Sequence, residues 1–219
     1  MRGKLIAFEG IDAVGKNTQT ELLLKKLGEL RVKTLYLKFP TYEKTLYGQL
    51  VRDHLQGKHG EKEKTSPYIA AMLFALDRMQ FRDKIIKALK AGIYIVCDRY
   101  KASNAFQIAK EPEKNWREFF DWLQRLEAPL PDADATVWID LPAEKTFLHT
   151  RESKDIYEKD LAFQNTGRRA YSWLSDFIPM VHVKGMEGDK HKGKEEIFSE
   201  IWRELEGRGV VSFAQQEFE

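Results

Sequence analysis

The sequence predicts a three-layer α/β sandwich, a five-stranded parallel sheet with helices on both faces, built as one domain over residues 1–219. Three observations predict it. Short apolar runs alternate with longer stretches of helical spacing. Those runs are apolar at consecutive positions, the mark of strands buried on both faces. No repeat, low-complexity block or long linker divides the 219 residues, and a chain of that length buries roughly 70% of its unfolded surface without a disulfide or metal staple.

The elements follow in order. Lys4 to Phe8 is an apolar strand bounded by Glu9-Gly10. From Lys16, Leu22, Leu23, Leu27 and Leu30 recur at three and four residues, as on one helix face. Val32 to Lys38 alternates like a strand and stops at Phe39-Pro40, and a helix from about Leu46 to Leu55 precedes a charged loop from Gln56 to Lys64. Ser66-Pro67 has the form of an N-cap with proline in the first turn, opening one long helix that Gly92 ends. Ile93 to Asp98 is the most hydrophobic strand and closes on a carboxylate. Helices run on to about Leu126, Ala135 to Asp140 is a fourth strand, and polar helical sequence continues through Trp173. Met180 to Val183 is a fifth strand, and a last helix spans about Lys194 to Glu206.

Composition excludes several classes of function. Apolar residues at 42% and charged residues at 32% rule out disorder over most of the length. Lys and Arg total 36 against 34 Asp and Glu, a net charge of +2, which leaves no excess for nucleic acid or an anionic membrane. Cys97 stands alone, so no internal disulfide forms and a reducing, cytoplasmic location is expected. The histidines form no H-E-x-x-H pair, no apolar run approaches a membrane span, and the N-terminal apolar stretch is too short for a secretory signal.

The chemistry is concentrated between the first strand and the first helix. Gly10-Ile11-Asp12-Ala13-Val14-Gly15-Lys16-Asn17-Thr18 contains G-x-x-x-x-G-K. Its glycines let backbone N–H groups turn inward around phosphates, the lysine supplies a cation, and the helix N-terminus adds its dipole. Chance alone places this motif in roughly 7% of such chains. The flanking strand and helix remove most accidents and give the sheet a P-loop NTPase character. The residue after the lysine is normally Ser or Thr, whose hydroxyl binds Mg²⁺; here it is Asn17, with the hydroxyl of Thr18 next to it. No N-K-x-D run exists, and Asp98 is followed by Arg99-Tyr100-Lys101 rather than D-x-x-G, which excludes a guanine-nucleotide switch. Asp98 and Arg99 fall where a parallel strand opens onto the ligand crevice. Asp98 is suited to hold Mg²⁺ or its waters and Arg99 to fork onto phosphate oxygens, so Asn17 and Asp98 are the candidate metal ligands.

Together these segments resemble the thymidylate kinases. Phe8-Glu9-Gly10-Ile11-Asp12 through Gly15-Lys16 and Thr18-Gln19 is similar to their opening, and Phe39-Pro40 to the end of their second strand. Leu73 to Arg78 matches their L-F-x-x-x-R helix, Asp98 to Ser103 their D-R-Y-x-x-S segment, and Asp155 to Glu158 their lid, expected at about 150–163. The matches run in family order across about three quarters of the chain.

The resemblance implies a P-loop kinase that transfers the γ-phosphoryl of ATP to thymidylate, with Mg²⁺ as cofactor and a homodimer as assembly. It implies that Gly10 to Thr18 bind ATP, and that Lys16, Asp98, Arg99 and a lid arginine act on the phosphates. Ala13 stands where some members carry a basic residue, so Arg151 is the lid candidate. Phe74 would stack on thymine and Arg78 would hydrogen-bond its O4. The two lie at i and i+4, with Phe81 and Ile85 continuing the face, and a flat base edge would partner an arginine in an apolar stripe. Asp12 would accept from the sugar 3′-hydroxyl. Ser103 and Asn104 would lie near the base and acceptor phosphate, with Phe39 beside the substrate and Tyr157 closing over it.

Two departures stand out. Many members carry an arginine two residues after Phe-Pro, whereas Thr41-Tyr42-Glu43 has none, leaving Lys38 or Arg52 for that phosphate contact. The stretch after Ser103 is one residue short, which weakens the correspondence at Phe106 and Gln107. Two rival readings stand beside this one: another nucleoside monophosphate kinase or nucleoside kinase on the same scaffold, and a nucleotide-binding regulatory protein without turnover.

Overall fold

The computed structural model describes residues 2–42, 45–58, 66–146 and 160–211. The strands β1 (Leu5–Glu9), β2 (Thr34–Lys38), β3 (Tyr94–Asp98), β4 (Ala135–Asp140) and β5 (Met180–Lys184) form one parallel sheet in the order β2-β3-β1-β4-β5. β1 is buried along its whole length, with Leu5 to Phe8 paired to Ile95 to Asp98 of β3 and Ile6 to Glu9 to Ala135 to Trp138 of β4. The five-stranded parallel architecture is the one the sequence predicts. The chain builds first the β2-β3 side of the central strand and then the β4-β5 side, so the crevice lies at the carboxyl ends of β1 and β3.

Alternation along β1 divides the core. Leu5 and Ala7 face one way, with Ile95 and Cys97, onto Ile85, Ala88 and Leu89 of α4 (Arg82–Lys90). Ile6, Phe8 and Val96 face the other way onto Leu23 and Leu27 of α1 (Lys16–Glu29). Cys97 is fully buried, and burial pushes its thiol well above the ordinary range, so it packs as a small hydrophobe. Leu30 lies just past α1 and is exposed, so the stripe read from Leu22 ends at Leu27.

The single long helix expected from Ser66 to Gly92 is two helices, α3 (Pro67–Met79) and α4. The break at Gln80-Phe81 turns the Phe81 ring edge-on to Phe39 at 5.5 Å. It lets α3 border the crevice while α4 covers the sheet. Ile85 therefore packs in the sheet core and does not continue the face of Phe74 and Arg78. α2 (Leu46–Leu55) is capped by Thr45, whose hydroxyl accepts from the Gly48 N–H at 2.9 Å. A Cβ on Gly48 would come within 2.7 Å of the Tyr42 backbone, so the absence of a side chain lets the segment after β2 cross this helix.

The remaining helices are α5 (Ala105–Ile108), α6 (Trp116–Leu126), α7 (Ala143–Thr146), α8 (Leu161–Leu174) and α9 (Lys194–Gly207). A short antiparallel hairpin, β6 (Met186–Glu187) with β7 (Lys190–His191), follows β5 and was not read from the sequence. Among the described residues no helix is long and apolar enough to cross a membrane.

Candidate active site

The loop after β1 adopts its shape because its glycines permit it. Gly10 has φ +139°, and a Cβ there would lie 2.5 Å from the Ile139 carbonyl oxygen of neighbouring β4. Gly15 is left-handed at φ +89° and hands the chain directly to α1 at Lys16. Lys16 is buried, its ammonium folded back to donate to the Ile11 carbonyl at 2.6 Å and the Gly10 carbonyl at 3.2 Å. Burial, with the Arg99 guanidinium beside it, lowers its pKa to about 8. Ile11 and Val14 are buried, so they serve the cradle through their backbone.

Arg99 follows β3 in the left-handed region, φ +68°, which turns its side chain back across the loop. Nη1 donates to the Gly10 carbonyl at 3.2 Å, Nη2 pairs with the Asp12 carboxylate, and the guanidinium lies 5.3 Å from the centre of the Phe106 ring. Burial opposes the charge on Asp12, but Arg99 and Lys16 more than offset it and hold its carboxyl below the ordinary range. Gln164 of α8 completes this clasp: Oε1 accepts from the Asp12 N–H at 3.2 Å and Nε2 donates to Asp12 Oδ2 at 2.9 Å.

Behind Arg99 lies a buried carboxylate, Glu9. It accepts from the Tyr100 N–H at 2.7 Å, the Ser103 hydroxyl at 2.6 Å and the Tyr171 hydroxyl at 3.0 Å. Burial raises its pKa, although those donors and Arg99 all favour its charge. Glu9 thus joins the central strand, the turn after β3 and α8. Asp140 is a second anchor for α8, accepting from Arg168 Nε at 2.5 Å and lying 3.0 Å from His182 Nε2.

These elements enclose a cavity of about 430 Å³. Asp12, Lys16, Asn17, Lys38, Asp98 and Arg99 line its polar end, and Phe74, Phe106 and Phe163 are among the side chains of its apolar wall. Of the two cations the sequence left open, Lys38 lines the cavity, its Nζ 3.2 Å from Asp98 Oδ2. Arg52 lies off the lining and 3.6 Å from Asp53. The other oxygen of Asp98, Oδ1, is buried with no hydrogen-bond partner among the described residues.

Arg78 corrects one expectation. Its partner among the described residues is a carboxylate: Nε donates to Glu127 Oε1 at 2.6 Å and Nη2 to Asn104 Oδ1 at 3.1 Å, while Asn104 Nδ2 donates to Glu127 Oε2 at 2.5 Å. Arg78 is 1% exposed, yet it and Asn104 still line the cavity with Phe39, Phe74 and Ser103. The adjacent Asp77, also buried, accepts from the Thr41 N–H at 2.8 Å and the Thr41 hydroxyl at 2.5 Å, fastening the segment after β2 to α3.

Sequence reasoning missed Glu127, Asp77 and Gln164, whose roles depend on contacts distant along the chain. It also set aside Gln107, whose Oε1 is buried in the cavity wall without a partner among the described residues. The aromatic-Gln signal was present, and only the shortened spacing hid it. Arg151, Tyr157 and most of the segment expected to be a lid fall outside the described residues.

A second cavity of about 210 Å³ lies across the loop, lined by Thr18, Gln19, Lys145, His191 and Lys192 among others. Ala13 and Gly15 border both cavities, so the loop after β1 separates two pockets. That fold, with G-x-x-x-x-G-K between two pockets, has the form of a P-loop phosphotransferase.

The comparisons specify it further. The family model described as thymidylate kinase matches residues 8–184, and the chain belongs to the thymidylate kinase family. It is 30% identical over 212 residues to a probable thymidylate kinase of Pyrococcus abyssi, covering 94% of this chain and all of that protein. It is 31% identical over 172 residues to a thymidylate kinase of Dictyostelium discoideum, covering 78% of this chain and 72% of the other. A solved thymidylate kinase from Candida albicans has the same fold, with TM-score 0.73 at 24% identity over 97% of this chain and 96% of that one. The chain is accordingly an ATP-dependent nucleoside monophosphate kinase.

Proposed function

We propose that the chain transfers the γ-phosphoryl group of ATP to thymidylate, with the acceptor in the larger cavity and the donor base in the smaller one. The observation that carries the reading is the single cradle, residues 10–16, bordered on each side by a pocket: donor and acceptor phosphates are brought together over Lys16 and Arg99. The acceptor phosphate, with a second pKa of about 6, is largely dianionic at neutral pH and needs no strong general base. What opposes reaction is repulsion between two anions that must approach in line. Lys16 and Arg99 neutralise that charge, and the geometry of Arg99 is set beforehand by Asp12, Gly10 and Phe106. We assign the remaining cation to Arg151, in a lid at about 150–163, with Tyr157 closing over the nucleoside.

Phe74 stacks on the base in this reading, and Arg78 and Asn104, held by Glu127, face its edge. Ser103 donates its own proton to Glu9 and so meets the substrate as an acceptor. The oxygens of Asp12 retain lone pairs for a sugar hydroxyl. The donor set fits Mg²⁺: among the described residues no group of three or more His, Cys, Asp or Glu could hold a metal, whereas Asp98 offers an unpartnered buried oxygen and lines the same cavity as Asn17. One or two protein oxygens completed by nucleotide phosphates and water is the usual environment of that ion. When bound, Mg²⁺ draws charge from the phosphate oxygens. An exposed apolar stripe on α3, formed by Ile69, Met72 and Leu76, supports a homodimer of single kinase domains. The lone buried Cys97 supports a cytoplasmic location.

The test is an ADP-release assay with ATP, Mg²⁺ and a panel of nucleoside monophosphates. Thymidylate should give the highest kcat/KM. Preference for a purine nucleotide or cytidylate would overturn the assignment, and no acceptor-dependent turnover would support the non-catalytic alternative.

Lys38 takes the phosphate contact that the resemblance assigns to an arginine after Phe-Pro. Lys38→Met is expected to weaken thymidylate about tenfold, the loss of one charge-assisted contact worth ~1.5 kcal/mol. Thymidine, which lacks the phosphate, should bind unchanged, as should both ligands to Arg52→Met. Titration calorimetry reads all four values, and equal losses for thymidine and thymidylate remove Lys38 from the phosphate.

A further inference from the structure

We propose that Glu21 is a positioning residue that holds the Asn17 amide oxygen-first toward the metal accompanying ATP. The proposal rests on the Mg²⁺ placement above and explains how this chain tolerates an amide where a hydroxyl is usual. A hydroxyl oxygen can be turned onto a cation by rotation. An amide has two ends of nearly equal size, and only the oxygen is a ligand for a hard ion. Asn at this position is therefore useful only if its orientation is fixed.

The structure fixes it. Asn17 Nδ2 donates to Glu21 Oε1 at 2.6 Å, one helical turn further along α1. A carboxylate has only acceptors to offer, so the end of the amide facing Glu21 must be the nitrogen. The oxygen is left on the other branch of a side chain that lines the larger cavity together with Asp98. Asp98 Oδ1 is a buried oxygen without a partner among the described residues, an independent sign of an electropositive ligand at this end of the cavity. Glu21 also forgoes the common alternative, an ion pair with Lys25 four residues on: none forms within 4.0 Å. Its carboxylate turns back toward the cradle, where outer partners of metal ligands belong.

The experiment measures Mn²⁺ binding, by electron paramagnetic resonance, to the full-length protein with a non-hydrolysable ATP analogue. Glu21→Gln keeps the size of the side chain but can donate to the Asn17 oxygen, which frees the amide to turn over. It should weaken Mn²⁺ about tenfold or more, the usual effect of losing an outer partner, while metal-free affinity for the analogue is unchanged. In an Asn17→Ser background the same substitution should have no effect, because a hydroxyl has no wrong end. Wild-type Mn²⁺ affinity in Glu21→Gln, or the same loss in both backgrounds, overturns the orienting role. Undiminished Mn²⁺ affinity in Asn17→Ala overturns the metal placement itself, and the proposal with it.

Discussion

Lys16→Ala is expected to lower kcat by on the order of 100-fold or more, and Arg99→Ala by a similar factor, since each removes a pre-set charge from the place where negative charge develops. The two variants should nonetheless differ. Arg99 is paired with Asp12, whose carboxylate is also held by Gln164, so losing the guanidinium leaves a carboxylate facing the incoming phosphates. Among the described residues Lys16 hydrogen-bonds only loop carbonyls; it acts on Asp12, Asp98 and Glu9 through space, so its loss breaks no direct ion pair. Arg99→Ala should therefore raise the KM for thymidylate as well as lower kcat. Steady-state kinetics with near-wild-type turnover in either variant would remove that residue from the chemistry.

Lys16 also predicts a pH dependence. Its pKa is about 8, below the ordinary 10.5 because of burial and then Arg99. The charged form binds phosphate, so ATP affinity should decline as pH rises through about 8, and Lys16→Ala should abolish that decline. The sign for stability is opposite. Between about 8 and 10.5 the unfolded chain holds a proton that the native lysine has released, so the empty protein gains stability with rising pH across that window. Calorimetric ATP binding and urea unfolding, each from neutral to about pH 9.5, separate the two effects.

Glu127→Ala is expected to cost about 3–5 kcal/mol of stability, because it leaves the guanidinium of Arg78 buried without its counter-charge. For a chain of this length that corresponds to a fall in Tm on the order of 10 °C. Asn104 loses an acceptor in the same step, so weaker thymidylate binding should accompany the loss even well below the new Tm. Glu127→Gln keeps the shape but offers one acceptor where the carboxylate offers two, so it loses the charge and one of the two hydrogen bonds and should fall between. A loss under about 1 kcal/mol in Glu127→Ala would mean that water reaches the pair.

The parts of the protein written locally were legible from the amino acids. Strands with consecutive apolar residues, the glycines of the cradle and the Asp98-Arg99 step each depend on neighbours within a few positions. The break between α3 and α4 was not legible. Residues 76–85 have unbroken helical spacing, and the interruption falls where Phe81 meets Phe39, a contact from another element. The same holds for the supporting residues. Glu127 lies 49 positions from Arg78 and Gln164 lies 152 from Asp12, and nothing local in either sequence announces its partner. The arginine in an apolar stripe did signal that a counterpart was needed, but the signal carries no address.

Glu9 and Glu127 hold the two ends of the larger cavity independently, and the boundary falls at one peptide bond: Ser103 answers to the first carboxylate and Asn104 to the second. On the proposed assignment, selection on base preference can thus rework the wall around Arg78 while the residues around Arg99 stay in register. Divergence toward new acceptors on this scaffold should accumulate on the Glu127 side, and a designer grafting a different base pocket has a natural seam at which to cut.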